Sequence, residues 1–159
     1  EILGKEQLQW LIDALSSSKA TFKIIAIGGQ VLNSEKVYEN YINWEEEHIE
    51  LLALIEKEKI DGVIFLSGDR HFSEVSKMSR FNSYPLHDFT VSPLTSGFCD
   101  ICIDENNKHR IKESAVFQRN FAIFSIYSSD KDRILDYTIF NNKGDSLWNY
   151  KINASDLKY

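Results

Sequence analysis

The chain has 159 residues, a net charge of −6 at pH 7, and a composition that is 43% hydrophobic and 26% charged. These values are typical of one globular domain. The acidic balance argues against nucleic acid as the main partner, because phosphate backbones are bound mainly by lysine and arginine. No apolar run approaches the roughly 20 residues that a membrane-spanning helix needs.

Helical and extended patterns alternate over the first 70 residues. Apolar residues at helical spacing predict a helix over residues 5–16, and residues 21–29 predict a strand that runs into a glycine pair. Asn43 and Glu46 match a capping box and predict the start of a second helix. The stretch at residues 61–67 is short and contains the apolar run Val63 to Leu66, as in a strand covered on both faces. The alternation predicts a parallel pair of strands in a layered α/β sheet.

The second half has a different pattern. After residue 72, apolar and polar residues alternate between short Asn-, Gly- and Asp-containing breaks, which indicates mostly antiparallel strands. Residues 134–140 and 146–152 predict a hairpin with its turn at residues 142–145. No repeat, low-complexity tract or linker divides the chain, so residues 1–159 are interpreted as belonging to a single domain.

Cys99 and Cys102 form one Cys-x-x-Cys pair. A zinc site of this type needs a second pair of ligands, so we do not expect these cysteines to bind metal. The simpler interpretation is that they are two small apolar residues in a strand or loop.

The most informative stretch is FLSGDRHFSE, residues 65–74, where an apolar strand ends in charged residues. Ligands of open α/β sheets collect at the carboxyl ends of the strands. In an extended segment, Asp69 and His71 would point to the same side. A carboxylate and an imidazole together are good metal ligands. The alternative is structural: Asp69 caps a turn and His71 hydrogen-bonds to it.

FLSGDRHFSE resembles the last metal-binding motif of the metallophosphoesterases, in the form found in the PhoD-like (alkaline phosphatase D) family. Three other pieces are similar to that family in the same order. LGKEQLQWLIDAL (residues 3–15) resembles the helix upstream, KIIAIGGQVLN (23–33) a strand leading into the active site, and SPLTSG (92–97) a downstream loop. The resemblance is clear over residues 3–98.

The resemblance implies an α/β fold: the C-terminal half of a calcineurin-like metallophosphoesterase α/β/β/α sandwich, with a mostly antiparallel C-terminal region. It implies a metal-dependent hydrolase of phosphate monoesters or diesters, in which two metal ions activate water. The family suggests iron with calcium, and the wider superfamily also uses zinc or manganese. It further suggests a secreted, periplasmic or cell-envelope location.

The resemblance also implies roles for four residues. The superfamily's last motif is Gly-His-x-His, and Asp69 and His71 stand at its two histidine positions, so each is expected to be a catalytic ligand of one metal. Gln30 lies near a position that often carries another histidine ligand and is expected to be a substrate-binding pocket residue. Arg70 is expected to meet the substrate phosphate, with solvation or pairing to a surface acid as the alternative.

We identify none of the superfamily's early motifs, which supply most of its metal ligands. The expectation is therefore that the chain is the C-terminal part of one PhoD-like domain, is inactive alone, and has the N-terminal half of the same protein as a partner. The competing hypothesis is a non-catalytic binding or interaction domain that retains the fold.

The remaining histidines and the charged run at residues 104–113 are expected to have no catalytic role. His48 lies among glutamates and is predicted to face solvent, whereas His87 and His109 are isolated. The charged run is predicted to be a solvated loop.

Overall fold

A computed structural model describes residues 1–129 and 132–159, and the described residues form two α-helices and seven strands in two sheets. The helices are α1 (Gly4–Ser17) and α2 (Glu45–Lys57), and the strands are β1 (Lys23–Ala26), β2 (Val63–Ser67), β3 (Glu74–Arg80), β4 (Ser83–Thr90), β5 (Asn120–Ser128), β6 (Arg133–Asn141) and β7 (Ser146–Asn153). None of the described helices has the length and apolarity required to cross a membrane.

The first sheet has the strand order β1-β2-β4-β3. Strands β1 and β2 are parallel, with Lys23 opposite Val63, so the predicted parallel pair is confirmed. Strand β4 also runs parallel to β2, and β3 is antiparallel to β4. The carboxyl ends of three strands therefore meet at one edge of the sheet, where β3 begins.

The second sheet is antiparallel, with the order β5-β6-β7. The predicted hairpin is formed by β6 and β7, and the Asn141 N–H donates to the Asp145 carbonyl at 3.0 Å across its turn. Apart from the parallel pairing of β4 with β2, the second half of the chain is antiparallel, as its alternating pattern predicts.

The molecule is built in layers of helix, sheet and sheet. Leu11 of α1, Leu51 of α2 and Phe65 of β2 line one small cavity of about 100 Å³ between the helices and the first sheet. On the opposite face, the Phe89 ring of β4 lies 4.8 Å from the Tyr137 ring of β6, measured between centroids. Burying each such side chain contributes roughly 1.5–3 kcal/mol, so the apolar layers supply most of the favourable free energy of folding.

The start of α2 differs from the prediction. Trp44 is the N-cap of the helix, and within the described residues it has no side-chain capping hydrogen bond, so the predicted capping box of Asn43 and Glu46 is wrong. The physical reason is that Asn43 ends the preceding 3₁₀ turn, Tyr41–Asn43, and its side-chain amide donates back to the Tyr38 carbonyl.

The buried face of α2 also differs from the prediction. His48 is 4% exposed, so the prediction that it faces solvent is wrong. The covered face of the helix contains Glu47, His48, Leu51 and Ile55, whereas Ile49 is exposed. A buried carboxylate and a buried imidazole are thus part of this face, and hydrophobicity alone does not identify it.

Candidate functional site

The site begins where β1 and β2 end. The Gly68 N–H, just after β2, donates to the Gly28 carbonyl, just after β1, at 3.0 Å. Asp69 and His71 follow with φ angles of 61° and 56°, so both are in the left-handed region. The extended conformation assumed from the sequence is therefore wrong for this turn. Left-handed non-glycine residues are uncommon and persist where surrounding contacts hold them.

Asp69 and His71 nevertheless lie close to the same pocket. Both are exposed and line the same open pocket, which has a volume of about 490 Å³. The structure thus brings together the two residues predicted to bind metal. The lining residues are Tyr38, Glu39, Asp69, Arg70, His71 and residues 99–102.

Backbone hydrogen bonds hold His71. Its N–H donates to Ser92 Oγ at 3.0 Å, and its carbonyl accepts from the Cys99 N–H at 2.9 Å. The loops that follow β4 therefore fix the His71 peptide groups. Within residues 1–129 and 132–159 the His71 ring makes no hydrogen bond, which leaves its nitrogens available to a ligand.

Arg70 points inward between these two exposed residues and is 4% exposed. Its guanidinium forms an ion pair with Glu105 and donates to Gln30 Oε1 and to Asn40 Oδ1, the latter at 2.7 Å. It also lies 5.0 Å from the centroid of the Tyr38 ring. Arg70 is therefore paired with an acid, which is buried rather than on the surface. Arg70 also lines the pocket, so its position is compatible with the predicted contact with a substrate phosphate. That contact stays a prediction.

Gln30 lies behind the pocket and is 1% exposed. The chain reaches it through Gly29, where a Cβ atom would lie 2.2 Å from the Glu39 carbonyl oxygen, so the close crossing requires glycine. The Gln30 amide donates to Glu74 Oε1 at 2.7 Å and to Thr90 Oγ1 at 2.8 Å. Its oxygen accepts from Asn33 and Arg70. Both the nitrogen and the oxygen of the Gln30 amide are thus hydrogen-bonded to other protein groups. A direct contact of Gln30 with substrate stays a prediction.

Two buried acids near Gln30, namely Glu74 and Asp88, were not identified from the sequence. Glu74 has no exposed surface and pairs with Arg110. Asp88 accepts from the backbone N–H groups of Val31 and Leu32 at 2.7 and 3.0 Å, and burial raises the pKa of its carboxyl. For Asp88 the available signal was a single acid in a predicted strand, between the apolar residues Leu86 and Phe89.

The charged run at residues 104–113 was predicted to be a solvated loop, and this is wrong for part of it. The Glu105 side chain is 8% exposed, and Asn107 is buried and donates to Glu74 Oε1 at 2.8 Å. Glu105 folds inward as the acid that pairs with the buried Arg70, and Asn107 folds inward as a donor to the buried Glu74.

Cys99 and Cys102 form a disulfide, which the interpretation as two small apolar residues in a strand or loop did not include. The disulfide borders the same pocket as Asp69 and His71. It encloses the start of a short 3₁₀ turn, Ile101–Asp104, whose N-cap is Asp100.

Asp69 and His71 supply a carboxylate and an imidazole, which are donors that first-row metals accept. They fit part of a metal centre. In the described part of the chain, no group of three or more His, Cys, Asp or Glu side chains could hold a metal ion. A complete centre would therefore need donors beyond these two.

Comparisons with known proteins agree with this description. The sequence profile of the PhoD-like phosphatase family matches residues 1–129. A solved structure titled "Structure of PhoD" is similar to the chain, with a TM-score of 0.62 and 17% identity, over 94% of this chain and 35% of that one. The chain thus spans about a third of that protein's length. No curated protein matches it.

At 17% identity the structural likeness shows the fold alone, and it confirms the predicted α/β arrangement with an antiparallel second sheet. The profile match covers most of the sequence and includes the whole Asp69–His71 turn. The chain therefore belongs to the PhoD-like phosphatase family.

Proposed function

We propose that the chain contributes the C-terminal metal-binding turn of a two-metal phosphoester hydrolase. Phosphatases of its family act on phosphoesters and are generally metal-dependent. The observation that carries the proposal is that Asp69 and His71, which the resemblance aligns with the superfamily's last metal motif, line one open pocket beyond β2. When bound, two metal ions would activate water and stabilise charge on the phosphoryl oxygens.

Each residue of the turn has a proposed role. Asp69 supplies a carboxylate to one metal, and His71 supplies an imidazole nitrogen to the other. Arg70 presents a permanent positive charge at the base of the pocket, toward the phosphate. Gln30 orients Arg70 through its side-chain oxygen, which accepts a hydrogen bond from the guanidinium. We propose iron with calcium as the metals, with zinc or manganese as alternatives, and monoesters or diesters as substrates.

The other ligands would come from outside this chain. The chain covers 35% of the similar PhoD structure, which supports the proposal that residues 1–159 are the C-terminal part of one domain. The N-terminal part of the same protein would then be its partner and supply the missing donors, and the isolated chain would lack activity.

The test compares Asp69→Asn and His71→Ala with Asp104→Asn in the full-length protein. The control removes an exposed carboxylate that lies outside the pocket lining. Turnover of p-nitrophenyl phosphate and bis(p-nitrophenyl) phosphate should fall by orders of magnitude in the two ligand variants, and bound metal should fall with it. The melting temperature should change little, because both side chains are exposed.

Two outcomes would contradict the proposal. Near-normal turnover with a lowered melting temperature in both ligand variants would show that the turn is structural. A wild-type protein that binds phosphate esters without hydrolysing them would identify a binding domain instead.

A further inference from the structure

We infer that Glu105 is a positioning residue of this site, which fixes the orientation of Asp69 and His71 by holding the Arg70 between them. The catalytic part of this inference rests on the proposed function. The Glu105 carboxylate forms an ion pair with Arg70 through one oxygen and accepts from the Asn33 side chain through the other. Both oxygens are thus used inside the protein.

Glu105 balances a buried charge. The Arg70 side chain is 3% exposed, and a buried guanidinium is costly unless an acid pairs with it. In the part of the chain that the structure describes, Glu105 is the acid that forms an ion pair with Arg70. The other acceptors, on Gln30 and Asn40, are neutral amides. The inward position of Arg70 therefore depends on Glu105.

The inward position of Arg70 in turn determines where the side chains of Asp69 and His71 point. Asp69 and His71 both hold left-handed backbone angles, which cost free energy and are kept only by surrounding contacts. With Arg70 anchored below the turn, the two flanking side chains lie exposed at the pocket. If the anchor is lost, both residues can relax to ordinary backbone angles, and the pair loses its shared orientation.

The segment that delivers Glu105 also contacts the turn directly. The Cys99 N–H donates to the His71 carbonyl at 2.9 Å, and the Glu105 N–H donates to the Cys102 carbonyl at 3.3 Å. The Cys99–Cys102 disulfide joins these two contacts. A crosslink over so few residues removes little chain entropy, so its main effect is on the local shape of the segment.

The experiment uses the full-length protein and compares Glu105→Gln with Asp104→Asn, which removes the exposed neighbouring carboxylate. Glu105→Gln keeps the size of the side chain but leaves the Arg70 charge without an acid. We expect kcat to fall about 10-fold or more with little change in KM, as for residues that orient metal ligands. Asp104→Asn should leave both constants unchanged.

The second readout is hydrogen exchange of the backbone, which does not require activity. We expect faster exchange of the His71 and Cys99 amides in Glu105→Gln, because these amides hold the turn. The amides of β6 should exchange as in the wild type. Unchanged exchange at His71 would overturn the inference whatever the activity. Full activity of Asp69→Asn and His71→Ala would instead overturn the proposed function. In that case the hydrogen-exchange result alone would show whether Glu105 positions the turn.

A double variant tests whether Glu105 acts through Arg70. In an Arg70→Gln background, adding Glu105→Gln should lower kcat little further, since the interaction is already lost. This variant also removes the unpaired charge, so it remains measurable if Glu105→Gln alone fails to fold. Independent reductions that multiply in the double variant would overturn the inference.

Discussion

The Glu47 carboxylate in the first turn of α2 accepts a hydrogen bond from the backbone N–H of Gly4, the first residue of α1, at 2.8 Å. The same carboxylate accepts from the N–H groups of Ile2 and Leu3 at 2.9 and 3.0 Å. The first N–H groups of a helix have no partner within the helix and carry a partial positive charge. A side chain of one helix thus caps the other.

Replacing Glu47 by Gln should destabilise the fold at neutral pH by about 2 kcal/mol, because charge-assisted hydrogen bonds to α1 are weakened. Urea denaturation measures this change. Glu50→Gln is the matched control, since Glu50 lies on the same helix but is exposed. An equal loss of stability in both variants would contradict the capping role.

The effect of Glu47 should depend on pH. Burial raises the pKa of Glu47, but the hydrogen bonds from Leu3 and Gly4 outweigh it, and the pKa falls to about 2. Since the pKa is lower in the folded than in the unfolded protein, the carboxylate stabilises the fold above about pH 4.3, its ordinary pKa. This stabilisation is lost as the pH falls toward 2, so the difference between Glu47→Gln and wild type should shrink over that range.

His87 should make the fold sensitive to mild acid. It is 2% exposed between the two sheets, with Nε2 3.2 Å from the Tyr150 hydroxyl, and burial lowers its pKa to about 4. The unfolded protein therefore binds a proton more readily between about pH 6.5 and 4, and stability falls as the pH is lowered through that range, by up to about 3 kcal/mol. His87→Gln should reduce this slope, measured as unfolding free energy against pH.

Tyr150→Phe is the control for His87, because it removes the hydroxyl and leaves the imidazole to titrate. It should lower stability at every pH and keep the slope. A His87 ring that titrates near pH 6.5 by NMR would show that burial does not hold it neutral.

The outer edge of β1 should cause self-association of the isolated chain. Among the described residues, β1 pairs with β2 alone, which leaves one edge without a strand partner. Ile24 on that strand is 43% exposed, and the nearby Trp10 of α1 is 65% exposed. Unpaired edges beside apolar surface bind further strands. Light scattering should show a mass that rises with concentration, and Ile24→Lys should suppress it.

A stable monomer over a wide concentration range would contradict this prediction. Ile49→Lys is a matched control: Ile49 is 57% exposed, but it lies on α2, which offers no strand edge.

Elements with a local signature were predictable from the sequence. Residues 63–66 form a continuous apolar run because β2 is covered on both faces, and the β6–β7 hairpin follows from its turn residues. The place of Asp69 and His71 was also predictable, because charged residues after a buried strand lie at the end of the sheet. Their backbone angles were not, because they depend on contacts with distant parts of the chain, such as those of the His71 peptide groups with Ser92 and Cys99.

The role of Glu105 lay beyond sequence reasoning for the same reason. It is 35 residues from Arg70 in the chain, and nothing in its neighbours distinguishes a buried acid from a solvated one. The burial of His48 and Asp88 likewise depends on which elements pack around them. Buried polar groups need hydrogen-bond partners, and these often come from distant parts of the chain, so local sequence patterns do not identify the buried groups.

Because Cys99 and Cys102 form a disulfide, the structure of the protein depends on the redox conditions under which it is produced. Disulfides persist in oxidising compartments, whereas the cytosol keeps thiols reduced. Protein recovered from a reducing cytoplasm would carry two thiols, and the segment that brings Glu105 to Arg70 would have lost its crosslink. Preparations that are identical in sequence would then differ at the pocket, and their activities become comparable only once their free thiols have been counted.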